Sequence, residues 1–93
     1  MRNIRAKYMV KKSTISVEFH GVQRVITGED AIVIEITGKT KVKDVFEIVN
    51  RRYSGLDLDE GMVIMTVNQE KVPTDRVLDA DDTVSFIPHI SGG

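Results

Sequence analysis

From Thr14 to His20 the chain alternates, with Ile15, Val17 and Phe19 on one side and Ser16, Glu18 and His20 on the other. A period of two marks a half-buried strand. The alternation resumes over residues 31–36, where Ile32, Ile34 and Ile36 form the buried set. Between the two runs, residues 21–30 read as a connection punctuated by Gly28, longer than a tight hairpin. The period then changes. Val42, Val45, Phe46, Val49 and Tyr53 share one stripe at helical spacing, with Lys43, Asp44, Glu47 and Arg51 opposite. That pattern predicts one amphipathic helix over residues 41–53. Thr40 is its expected N-cap and Gly55 its expected left-handed stop.

After an acidic loop over 56–61, residues 62–67 are apolar on both faces apart from Thr66, which suits an interior strand. Asn68-Gln69-Glu70 is a turn into a short strand around Lys71 and Val72, ended by Pro73, and Val77 and Leu78 are expected to tuck under the sheet. Ala80-Asp81-Asp82 reads as a turn whose carboxylates are solvated. The last strand places Val84 and Phe86 on one face and Ser85 and Ile87 on the other. Pro88 lacks a ladder donor and is expected to end the pairing, leaving an extended tail closed by Gly92-Gly93. The order β-β-α-β-β-β predicts an α+β fold of the β-grasp (ubiquitin-like) type, a mixed sheet of four to five strands crossed by one helix. Its final strand lies parallel to its first, and the helix supplies the crossover. Val17, Phe19, Ile34, Val63, Met65, Val67, Val84 and Phe86 are then core. His20, Met62, Ile64, Thr66, Ser85 and Ile87 face away from the helix.

Charge divides the chain. Residues 1–12 carry Arg2, Arg5, Lys7, Lys11 and Lys12 and no acid, whereas residues 13–93 carry 8 basic and 14 acidic side chains. Three segments follow: a basic extension over 1–12, read as disordered, a domain over 13–87, and a flexible tail over 88–93. An acidic body favours a basic protein surface as partner, with no nucleic acid and no membrane expected. The chain has no cysteine, no long apolar run and no secretory leader pattern, so a cytoplasmic home is expected. No nucleophile–base pair or phosphate loop is evident, and the two histidines, His20 and His89, are too far apart for metal-ligand spacing. Both histidines read as surface residues. At the chain end two glycines put no Cβ beside the terminal carboxylate, so it can enter a narrow channel; a closing Gly-Gly alone is a weak signal, stronger when joined to a strand, a proline and a compact acidic domain.

The chain from about residue 15 onward resembles the MoaD/ThiS-like family of ubiquitin-fold sulfur carriers, which includes the small subunit of molybdopterin synthase. The resemblance rests on Val17, Phe19, Arg24 and Gly28, on Val67-Asn68-Gln69, and on Leu78-Asp79-Ala80-Asp81-Asp82. It is strongest in the tail Val84-Ser85-Phe86-Ile87-Pro88-His89-Ile90-Ser91-Gly92-Gly93, which is similar to the family's Val-x-Phe-x-Pro-Pro-Val-x-Gly-Gly, with His89 at the second proline. Asn68-Gln69-Glu70-Lys71-Val72-Pro73 is shared with the shorter thiazole-pathway carriers, while the long 21–30 connection and Pro88 favour the pterin branch.

The resemblance implies a non-catalytic carrier whose Gly93 carboxylate is adenylated by an E1-like adenylating enzyme. A sulfur donor, persulfide protein or sulfide, then converts it to a thiocarboxylate. The sulfur passes to a pterin precursor in the large subunit of molybdopterin synthase, building the dithiolene of the molybdenum or tungsten cofactor. No cofactor is expected on the chain, since ATP belongs to the adenylating partner. Gly92 gives the tail access. Partner contacts are expected along Ile87, Pro88, His89, Ile90 and Ser91 and beside the tail at Ile64, His20 and Arg24. Three other readings stay open: a protein modifier joined through Gly93, a carrier for thiazole or tRNA thiolation, and a β-grasp interaction module that merely ends in glycine.

Overall fold

The structure is a computed structural model, described here for residues 12–89. Five strands form one mixed sheet: β1 (Lys12–Glu18), β2 (Ala31–Thr37), β3 (Val63–Val67), β4 (Glu70–Lys71) and β5 (Thr83–Pro88), in the order β2-β1-β5-β3-β4. β1 and β5 run parallel at the centre, and every other pairing is antiparallel. The expected β-grasp fold is therefore present. A helix α2 (Val42–Arg52) lies over one face, and a short helix α1 (Val22–Thr27) stands where a plain connection was expected. No helix of the described residues is long and apolar enough to cross a membrane.

The core is the set that alternation and helical spacing single out. Ile15, Val17 and Phe19 of the first run, Val84 and Phe86 of β5, and Val63, Met65 and Val67 of β3 are buried beneath Val42, Val45, Phe46 and Val49 of α2. Phe46 meets Phe86 edge-on at 5.2 Å between ring centres, and Phe19 meets Tyr53 likewise at 5.7 Å. Such edge-to-face pairs add to the burial of both rings. Leu78 is buried as expected, but Val77 is 40% exposed.

The ends of α2 differ from the sequence reading. Lys41, not Thr40, holds the N-cap, and its backbone N–H donates to the Asp44 carboxylate at 2.8 Å. Thr40 is occupied elsewhere: its hydroxyl donates to the Thr37 carbonyl and its own carbonyl accepts from the Leu78 N–H. Gly55 has no positive φ, and the helix ends at Tyr53, whose N–H donates to Val49 O. Gly55 instead permits a close approach. A Cβ there would lie 3.3 Å from Ile26 Cγ2, so the glycine lets α1 pack against the turn after α2.

The turn at 68–69 is as tight as its residues allow. Val67 pairs with Glu70, leaving Asn68 and Gln69 both at positive φ, as a type I′ turn requires. Asn68 is held there by its neighbours, accepting from the Thr83 N–H and donating to Asp82. Asp82 corrects the expectation of a solvated pair. Asp81 is exposed, but Asp82 is buried and its carboxylate accepts from the Asn68 amide, the Asp79 N–H and Arg76 at 2.9, 2.8 and 3.3 Å. It ties the loop before β5 to the β3–β4 turn.

Candidate functional site at the end of the last strand

β1 and β5 are paired only from Ser16↔Thr83 to Glu18↔Ser85, after which β5 continues alone on that side. The carbonyl of Phe86 would be left without a strand partner, and a buried carbonyl without a donor is destabilising. The Gln23 side chain fills the vacancy. Its Nε2 donates to Phe86 O at 2.8 Å, its Oε1 accepts from the His20 N–H at 3.0 Å, and the residue is 2% exposed. The short helix α1 presents Gln23 to the sheet from its first turn. Gly21 and Gly28, both at positive φ, let the chain enter and leave it, and the Gly28 N–H closes it on Arg24 O.

On its other side β5 pairs with β3 from Val67↔Val84 to Val63↔Pro88, and one more bond follows, from the His89 N–H to Met62 O at 3.0 Å. Pro88 therefore does not end the pairing. In an antiparallel ladder successive residues point their backbone groups to alternate sides. The missing N–H of Pro88 belongs to the side that β1 has vacated, so no ladder bond is lost. The strand is held as far as His89. The calls on Ile90, Ser91, Gly92 and Gly93 lie outside the described residues.

The residues expected to meet a partner divide into two groups around this strand end. Ile64 and Ile87 are directly opposite each other across β3 and β5, and both are half-buried. His20 is also half-buried, with Nε2 3.1 Å from Ser85 Oγ and 3.9 Å from Glu18 Oε1. Ser85 departs from expectation: it is buried, because β5 is central and its hydroxyl meets His20. Arg24 belongs to α1 rather than to a loop, is exposed, and lies 4.0 Å from an Asp30 carboxylate that is itself almost fully exposed. An ion pair this open is a weak constraint.

Pro88 and His89, both exposed, line a groove with Val22, Ile26, Leu56, Leu58 and Met62. Its two walls are fixed. Gln23 clamps α1 to β5, while the Asn50 amide both donates to Leu58 O and accepts from Leu58 N–H. Val22, Val25 and Ile26 were not anticipated as functional residues. Three large apolar residues within a connection of ten were the available signal. Among the described residues no three His, Asp or Glu side chains converge as a metal site would require.

The sequence profile of the ThiS family matches residues 17–93. The chain belongs to the ThiS family. No curated protein matches it significantly in sequence. Solved structures share the fold of this ThiS-family chain at low identity. A putative molybdopterin converting factor subunit 1 from Pyrococcus furiosus is 24% identical, with a TM-score of 0.74 over 84% of this chain and 99% of its own. SAMP1 from Haloferax volcanii is 15% identical, with a TM-score of 0.74 over 87% of this chain and 100% of its own. In a complex of subunits 1 and 2 of the molybdopterin-converting factor from Helicobacter pylori, the matching chain is 21% identical, with a TM-score of 0.59 over 86% of this chain and 99% of its own.

Proposed function

We propose that this ThiS-family protein is a sulfur carrier that works through the carboxylate of Gly93 and supplies sulfur for a dithiolene-forming step on a pterin. One observation carries the reading: β5 stays hydrogen-bonded through His89, and Gly92-Gly93 stand three and four residues beyond it. A carboxylate is a poor acyl donor, because its charge repels nucleophiles and oxide is a bad leaving group. Attack of the carboxylate on the α-phosphorus of ATP makes an acyl-adenylate and releases pyrophosphate. Hydrosulfide then adds to the carbonyl and AMP departs, leaving a thiocarboxylate and one proton. The E1-like enzyme supplies this chemistry, and the carrier supplies position.

Ile64 and Ile87, side by side on the face away from α2, are the proposed grip of the partner beside the tail, with His20 and Arg24 at the border. The Helicobacter pylori neighbour, a complex of two subunits, supports a large synthase subunit as the receiving partner. A second reading is favoured by the similar folds of small archaeal modifier protein 1 from Haloferax volcanii and Methanosarcina acetivorans: the same adenylate is attacked by a lysine amine, giving an isopeptide bond at Gly93.

The test is steric. Gly92→Val leaves the fold unchanged and abolishes adenylation, because a branched side chain blocks the channel. One residue added after Gly93 has the same effect. Adenylation of either variant at the normal rate refutes the reading and leaves an interaction module.

A further inference from the structure

Six large hydrophobic side chains stand exposed among the described residues; Val22 at 65%, Ile26 at 42% and Met62 at 62% line the groove with Pro88 and His89, and Val25 at 80% shares α1 with the first two. Val22, Val25 and Ile26 have the spacing i, i+3, i+4, which on a surface helix is the stripe that packs inward. In α1 it is reversed. Gln23 is the buried residue, and the apolar stripe is presented to solvent. The reversal is enforced by the structure, since Gln23 is bonded to Phe86 O and His20 N–H and Ile26 rests over Gly55. A fixed apolar patch of this kind marks an interaction surface.

The chain end says what covers it. Four residues follow His89, and four extended residues reach at most about 14 Å. An enzyme acting on Gly93 must therefore bring the mouth of its channel to His89. Val22, Ile26 and Met62 line the same groove as His89, so the mouth meets them. Asp57 and Asp59 also line that groove. An enzyme that binds ATP beside a substrate carboxylate needs cationic surroundings, which complement these two acids.

Building on the carrier reading above, we infer that the outward face of α1, together with Met62, docks the adenylating enzyme. It receives an apolar surface at the channel mouth with lysine or arginine facing Asp57 and Asp59. The probe is the E1-like adenylating enzyme with ATP, followed by ATP–pyrophosphate exchange against carrier concentration. Val25→Glu and Met62→Glu each raise the KM for the carrier about tenfold or more, as removal of a central apolar contact does, with kcat within twofold. Val33→Glu is the control, since Val33 is as exposed (66%) but sits on the edge strand β2. It leaves KM unchanged, and all three variants keep the wild-type thermal midpoint within a few degrees. A Val25→Glu carrier with wild-type KM overturns the inference. So does an equal rise from Val33→Glu, or a defect confined to the later sulfur-acceptor step. Normal exchange on wild type with no effect of Val25→Glu removes this surface alone, whereas no exchange on wild type removes the carrier reading with it.

Discussion

Gln23→Leu isolates the device on which the strand end depends. The variant keeps a buried side chain of similar size but deletes one donor and one acceptor. Phe86 O then loses its bond from Gln23 at 2.8 Å in a buried setting, and the His20 N–H loses its acceptor at 3.0 Å where water has partial access. An unsatisfied buried backbone group costs about 1–3 kcal/mol, and the half-buried one lies at the low end of that range. The loss is about 2–4 kcal/mol, less about 1 kcal/mol regained by burying leucine instead of an amide, so about 1–3 kcal/mol remains. For a chain of this size each kcal/mol moves the thermal midpoint by about 4–8 °C, which gives a fall of about 5–25 °C. Gln23→Glu keeps the acceptor for His20 but turns a carboxylate toward the Phe86 carbonyl, and it is at least as destabilising. Urea titration followed by circular dichroism measures both variants, with the midpoint lowered and the slope unchanged if unfolding stays two-state. A loss below about 1 kcal/mol for Gln23→Leu refutes the reasoning, because the two bonds would then not be what holds α1 to β5.

Asp82→Ala removes the shared acceptor of Asn68, Asp79 and Arg76 and lowers stability by about 2–3 kcal/mol, while Asp82→Asn, which keeps one acceptor oxygen, loses less. Stability near wild type for Asp82→Ala would make the buried carboxylate a bystander. Ile87→Asp, at a half-buried position opposite Ile64, lowers the unfolding free energy by about 1 kcal/mol but weakens binding to the adenylating enzyme and to the large synthase subunit. Calorimetric titration against each partner decides it: unchanged affinity for both removes Ile64 and Ile87 from the interface, and global unfolding places Ile87 in the core.

The fold was legible where a period repeats. Three runs of alternation and one of helical spacing were enough to place Ile15, Val17, Phe19, Val45, Phe46, Val49, Val84 and Phe86 in one core. Features resting on hydrogen bonds or register between residues distant in sequence were not legible. Nothing local distinguishes Gln23 as a substitute strand partner, because its importance comes from where β1 stops relative to β5, 63 residues later. Six residues are too few for a periodicity, so α1 was read as a loop. Pro88 was given the right property and the wrong outcome, since which side of the ladder loses a donor depends on register. Asp82 looked like a turn residue because the turn it serves, Asn68–Gln69, is distant in sequence. The adjacency of Ile64 and Ile87 was legible from parity on two neighbouring strands, but the exposed apolar stripe of α1 needed the helix to be seen.

The central claim concerns one atom at the end of the chain, and intact-mass spectrometry reads it directly. Incubated with ATP, sulfide and the E1-like adenylating enzyme, the protein is expected to gain about 16 Da, the difference between sulfur and oxygen, with fragmentation placing the change on Gly93. A mass unchanged after adenylation and sulfide treatment, or a gain located on any other residue, contradicts the carrier account.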